Sequence, residues 1–293
     1  MFIDNPTVPI QLETLLDVLY EIRQKTATSD TVKSLLQPKG LPDVSTGSSQ
    51  AANQLHAAKE LQLVTLDQSG DLRLTYSIRD GKPTVKDAIL TAFDRRVLSS
   101  PEVEPWFGRL YGYVIARADG IPGDRPSQKD LCTEFNNNLS SAIERVNQLN
   151  DTKLAHYLRW YAYAGMGWND PSKRFILDPT ERLRRVLPSI FNGVQRLDAA
   201  PFMSSLAQIC PELDGGALFM DVSSDQYDPV DRVCTHALSM ALRNLHDEGI
   251  IQLDCPKDSQ GWSLEKGGTV LNLETLQSDR FDRVKLLSDR KRK

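Results

Sequence analysis

Cysteine is scarce and scattered in this 293-residue chain, with 4 residues, Cys132, Cys210, Cys234 and Cys255, and no C-x-x-C spacing. That excludes a disulfide framework and a paired-cysteine zinc knuckle. It predicts thiols that pack as small hydrophobes in a reducing cytoplasm. Long apolar runs are missing too: none approaches the roughly 20 residues that a membrane-spanning helix needs, so no membrane partner is expected. No basic residue precedes Arg23, so the stretch MFIDNPTVPIQLETLL lacks the positive flank of a secretory signal.

The motifs of common catalysts are missing as well. There is no G-x-x-x-x-G-K-[ST] loop to cradle phosphates, no G-x-S-x-G elbow and no H-E-x-x-H zinc pair. Restriction nucleases often hold magnesium with an acidic residue upstream of a Glu-x-Lys, and no Glu-x-Lys occurs here. Cys234 and His236 stand two apart, which on a helix turns them to different faces. Glu102 and Glu104 beside Pro105 and Trp106 read as a solvated helix start rather than a general acid and base. The chain is therefore expected to act without catalysis of its own, and without metal or cofactor.

The net charge of −4 hides an asymmetry. Residues 280 to 293, RFDRVKLLSDRKRK, carry seven basic and two acidic side chains, hence +5, which leaves −9 on the remainder. A uniformly basic nucleic-acid-binding body is excluded. Local binding through a helix, a hairpin or this basic tail remains open beside a plain solvated terminus.

What the sequence does contain is a repeated plan. Leu12, Leu15, Leu16, Leu19 and Ile22 predict a helix over residues 11 to 24. SDTVKSLL predicts a second, capped by Ser29 or Asp30, and Leu55, Ala58 and Leu61 mark a third. LVTL and LRLT, joined by the Asp and Gly turn chemistry of DQSGD, then predict a hairpin near residues 63 to 75. The C-terminal part follows suit. Pro179 starts one helix and PFMSSLAQI makes another. Val230, Val233, Cys234, Ala237, Leu238, Ala241, Leu242 and Leu245 form an apolar stripe that opens on Asp228-Pro229 and stops at Gly249. IIQL and GWSL then predict a hairpin over 250 to 265. In the middle, SQKDLCTEF capped by Ser127 and TKLAHYLRWYAYAG predict two helices. Trp168 and Phe175 to Leu177 predict strands around an NDPSK turn, unless the aromatic residues at 157, 160, 161 and 163 belong to a helical connector. The fold class expected is mainly α with short β-hairpin wings, in tandem winged helix-turn-helix units of about 90 residues. The divisions are 1–80, 81–190 with the middle unit, and 191–293 with the tail.

Winged helices often hold DNA, so candidate contacts follow. Lys173 and Arg174 sit on the middle hairpin, and Arg182 and Arg185, three apart, share a helix face that excludes Arg184. These four could meet phosphates, helped by Lys291 and Arg292 of the tail. Gln50 and Asn53 in the first unit offer polar groups for base edges. The helix DPVDRVCTHALSMALRNLHDEG, with two Arg against three Asp and one Glu, predicts protein docking instead.

Residues 152 to 191 resemble the central region of the DpdG-type proteins, encoded in bacterial 7-deazapurine-in-DNA (Dpd) modification and restriction clusters. The resemblance is carried by Arg159-Trp160 before the Gly165-x-Gly167 turn and by the apolar strand that runs into Asp178-Pro179-Thr180, together with overall size and the flanking helix-hairpin units. It implies a place in an antiviral restriction system and brings no catalytic activity. The expected partners are duplex DNA, weakly and through its phosphates, and other proteins of the assembly, with a homodimer left open. The rival readings are a stand-alone winged-helix transcriptional regulator and, by fold analogy, a protein-binding subunit like those that accompany SMC complexes.

Overall fold

The computed structural model describes residues 7–22, 27–36, 50–77, 83–98, 104–117, 120–139, 148–256, 261–265 and 279–287. The chain is mainly helical with small antiparallel sheets. It divides into two compact units. One joins Met1–Pro105 to Thr152–Trp160, and the other joins Trp106–Asp151 to Tyr161–Lys293.

In the first unit α1 (Pro9–Glu21) starts on a proline at its first turn and buries Leu12, Leu15, Leu16 and Leu19. The next helix, α2 (Ser29–Leu36), is capped one residue earlier than expected, by Thr28 Oγ1, which accepts from Thr31 N at 3.2 Å. Helix α3 (Gln50–Glu60) leads to strands β1 (Val64–Leu66) and β2 (Leu72–Leu74), paired antiparallel with Thr65 opposite Arg73. Leu72 N also donates to Ala27 O at 2.9 Å, so the segment ahead of α2 flanks the returning strand. Helix α4 (Val85–Phe93), with Thr84 and Asp87 as a capping box, runs on as a π-helical turn over Asp94–Leu98. The helix Asp151–Tyr163 lends this unit its first part. Trp160 stacks on Phe93 with centroids 5.1 Å apart, and its indole N–H donates to Thr7 O. Glu104 is no solvated helix start: it is 1% exposed and accepts from Tyr157 Oη at 2.5 Å.

The second unit opens with α5 (Phe107–Arg117), then α6 (Arg125–Asn138), the two ends of α7 (Asp151–Tyr163), whose residues Thr152–Trp160 belong to the first unit, and strands β3 (Gly167–Asn169) and β4 (Phe175–Leu177). Asp124, not Ser127, caps α6 and accepts from Ser127 N at 2.9 Å. The expected middle hairpin forms, with β3 and β4 paired antiparallel and Trp168 opposite Ile176, while the aromatic residues at 157, 160, 161 and 163 lie in the helix α7. Ile121 bridges Phe175 through both backbone bonds, at 2.9 and 2.8 Å, so β4 again lies in the centre.

Next come α8 (Thr180–Phe191), β5 (Arg196–Asp198), α9 (Ala199–Ile209), α10 (Ala217–Ser223) and α11 (His236–Asp247). They are followed by β6 (Ile251–Asp254), β7 (Trp262–Ser263), β8 (Arg280–Phe281) and β9 (Arg283–Leu286). Two expectations are corrected here. The stripe from Val230 is not one helix. Asp228 caps only a 3-10 turn at Pro229–Asp231, Arg232 takes a left-handed conformation (φ 53), and α11 starts afresh on Thr235. Val230 is left 81% exposed. Nor do the described strands within 250–265 pair with each other. β6 pairs with β9, the sheet order is β5-β9-β6, and β7 pairs with β8. The reason is an apolar ladder: fully buried Val284 stands between Leu197 and Leu253, and Phe281 faces Trp262. Arg280–Phe281 and Arg283–Leu286 of the expected basic tail are therefore strand.

The repeat is sharper in the structure than in the sequence. In each of three places a helix ends, one residue takes a positive φ, and a strand begins: Gln62 (φ 58), Gly165 (φ 67) and Gly249 (φ 70). Each end carries the same two bonds, one from the left-handed residue to the carbonyl three back and one from its successor to the carbonyl five back. This is the Schellman closure. In each case the returning strand (β2, β4 or β9) also sits between the outgoing strand and the segment ahead of the second helix.

Helix α5 packs on α10 through Gly108 and Gly112. A Cβ at Gly112 would stand 2.9 Å from Phe219 Cα, a backbone atom with nowhere to go. Gly112→Ala is expected to cost about 1–3 kcal/mol in urea unfolding, because the two helices must part. A variant as stable as the wild type would show that the helices slide freely.

Candidate nucleic-acid interface

The β3–β4 turn is built from Asp170-Pro171-Ser172-Lys173. Asp170 Oδ1 accepts from Arg174 N at 2.8 Å and Ser172 Oγ at 2.7 Å, and these bonds hold its carboxyl below the usual range. The β1–β2 turn repeats the grammar, with Asp67 accepting from Ser69 and Asp71 and its carboxyl held at about 2. Gly70 (φ 85) and Lys173 (φ 66) fill the same left-handed position, eight residues after Gln62 and Gly165 respectively. Lys173 adopts it without a glycine's freedom, which costs on the order of 1 kcal/mol. Its reward is position, since Lys173 and Arg174 are both exposed at the tip.

The expected α8 cluster is not brought together. Arg182 is corrected: it is 1% exposed, its Nε donates to Glu212 Oε1 at 3.0 Å, and its Nη2 donates to Ile209 O. Buried and paired, it cannot reach a phosphate. Arg185 is half-buried and donates Nη1 to Ala164 O at 2.6 Å and to Glu181 O, placing its charge beside the C-terminal end of α7. Arg184, set aside in the sequence, meets Glu181 and Glu248. Only Lys173 and Arg174 of the four stand clear at the surface. In the first unit Gln50 is exposed, with Oε1 accepting from Gln11 Nε2 at 3.4 Å, and Asn53 is half-exposed on the same helix. Lys291 and Arg292 lie outside the described residues.

Sequence reasoning passed over Trp168 as a contact. It is 51% exposed, whereas Trp106, Trp160 and Trp262 are at most 9% exposed. Its signal was present in the alternation of β3 and β4, where Phe175 and Leu177 take the buried face and leave Trp168 on the other.

Chemistry elsewhere is muted. A cleft of about 330 Å³ is lined by Arg117, Tyr227, Asp228, Cys234, His236 and Glu265, among others. Burial pushes the Cys234 thiol well above its usual range, and burial pushes Cys132 up to about 12, so both stay protonated and make poor nucleophiles. Among the described residues no three His, Cys, Asp or Glu side chains gather as a metal site, and no helix is long and apolar enough to cross a membrane. Asp214, 1% exposed, accepts from Thr235 N and Oγ1, both at 2.7 Å.

A model of the family described as DpdG-like matches residues 3–259. No curated protein and no solved structure gives a significant match.

Proposed function

Because the chain belongs to the DpdG-like family, we propose that it is a non-catalytic, tandem winged-helix component of a prokaryotic Dpd-type DNA modification and restriction system. In this reading it touches duplex DNA weakly through phosphates and holds partner proteins of the system. The observation that supports it most is the threefold helix-to-strand closure with a central returning strand, in which the second copy presents Lys173 and Arg174 at its exposed tip. Hairpin tips of this kind track the backbone, and two clear cations in a chain of net charge −4 suit weak, sequence-tolerant contact. Helix α11 supports the docking half of the reading. Asn244 is bound to Thr180, Arg243 pairs with Asp279, and His246 Nδ1 accepts from Leu253 N, which leaves few groups for base edges.

The test is duplex affinity across a salt series. Lys173→Glu with Arg174→Glu is expected to weaken binding to all duplexes alike and to flatten the salt slope by about one for each phosphate that is no longer neutralised. Gln50→Ala with Asn53→Ala should change little, and no strand is cut in magnesium, manganese or zinc. Equal binding by the Glu variant removes the phosphate contact. Metal-dependent cleavage abolished by a single carboxylate substitution removes the non-catalytic reading.

A further inference from the structure

The β3–β4 hairpin carries one large exposed aromatic on its outer face and two exposed cations at its tip. Trp168 and its register partner Ile176 share that face, and Arg174 directly precedes β4. The indole is 51% exposed and Ile176 is half-buried, so the apolar area is the size of one ring system rather than a protein footprint. The hairpin beneath is stiff. Ile121 clamps Phe175 on one edge, and at Gly123 a Cβ would stand 2.5 Å from Lys173 O, so the turn is pressed onto the preceding loop. The Arg174 side chain lies over Gly120, where a Cβ would be 3.1 Å from its Nε. The acidic group of the turn is Asp170, and its carboxylate accepts from Ser172 Oγ and Arg174 N.

The first hairpin is an internal control. Its register pair at the same distance from the turn is Thr65 opposite Arg73, with Arg73 held by Asp67 and Asp71. The shared framework thus forms with a threonine in the tryptophan's place, so folding does not require the indole. An exposed indole on a hairpin whose tip exposes a guanidinium and an ammonium matches a strand with a planar base and neighbouring phosphates. Stacking accepts any base, and it is closed to a base still paired within a duplex.

We propose that Trp168 is a stacking platform for an unpaired nucleobase, with Lys173 and Arg174 holding the flanking phosphates of a single strand. This rests on the reading of the chain as a DNA-contacting component and deepens it, by naming a strand with exposed bases as the preferred ligand of this hairpin.

The experiment titrates the full-length protein with an oligothymidylate of about 15 nucleotides and, separately, with a blunt duplex. Trp168 is the one tryptophan that faces solvent, so its fluorescence reports the contact directly. Oligothymidylate is expected to quench it. Trp168→Ala is expected to bind the single strand roughly tenfold more weakly while leaving duplex affinity unchanged, and Trp168→Phe to keep most of the binding. Lys173→Glu with Arg174→Glu should weaken both ligands. The stacking proposal is overturned if Trp168→Ala binds oligothymidylate like the wild type, if saturation leaves the fluorescence unchanged, or if the substitution weakens only the hold on a protein partner. Duplex binding without single-strand binding likewise overturns it and leaves the duplex reading standing. Single-strand binding with quenching but no duplex binding does the reverse.

Discussion

Arg182→Ala destabilises the folded chain by about 3–5 kcal/mol, because it strands a carboxylate in the interior. Glu212 is 0% exposed, and Arg182, 1% exposed, meets it at 3.0 Å. The two charges are buried together, and removing the guanidinium leaves the Glu212 carboxylate in the interior without its cation. Tyr111 lies close by, fully buried, with its hydroxyl donating to Met166 O. Burial chiefly, with Asp178 and Glu212 adding to it, pushes its phenol well above the usual range, so it stays neutral and adds no second negative charge beside Glu212. The double variant Arg182→Met with Glu212→Leu should regain most of the loss, since a well-packed apolar pair is often as good as a buried ion pair. Urea unfolding of both single variants and the double checks this. A single Arg182→Ala that costs under about 0.5 kcal/mol would show that water or another cation reaches Glu212. Any loss of DNA binding in an Arg182 variant is accordingly a folding effect, and Lys173 and Arg174 are the positions that test contact.

How much of this could be read in advance follows from how local each signal is. Helix α1 and the two short hairpins were legible because four-residue apolar spacing and an Asp-led turn are decided within a few residues. Strand β9 was not. RVKL looks like part of a charged tail, and only pairing with β5 and β6, far away in sequence, gives Val284 a core to enter. Arg232 broke an otherwise regular stripe by taking a left-handed conformation that periodicity does not register. For Arg182 a signal existed and was passed over. It stands four residues before Val186, on the edge of the stripe through Leu183, Val186, Leu187 and Ile190, so its side chain turns toward the core. Its partner Glu212 lies 30 residues on, and no local rule joins them. The candidate interface was legible in part for the same reason: Lys173 and Arg174 belong to a local turn, and the fate of Arg182 and Arg185 depended on what packed against α8.

Asp214→Asn is expected to stabilise the protein at neutral pH relative to its effect in mild acid, by a difference on the order of 2–3 kcal/mol. Burial raises the Asp214 carboxyl from 3.8 to about 6 against the opposing pull of the Thr235 N–H and hydroxyl, and the charge of Glu265 adds to the rise. Between those two values the folded chain keeps a proton that the unfolded chain has lost. This contribution to stability is therefore fully present below about pH 3.8 and is lost as pH rises through about 6. Asp67, Asp124 and Asp170, whose carboxyls are held low by hydrogen bonds, act in the opposite sense, so the wild-type curve alone would mix the two. The comparison with Asp214→Asn isolates the one site. Asparagine keeps an oxygen for Thr235 N and offers an amide N–H to Thr235 Oγ1, so the N-cap of α11 is retained in both proteins. Urea unfolding from about pH 4.5 to about pH 7.5 measures the gap, which should turn in favour of the variant as pH rises. A gap that stays constant across that range would mean that Asp214 ionises freely beside Thr235, and the burial argument for the loop ahead of α10 would fall with it.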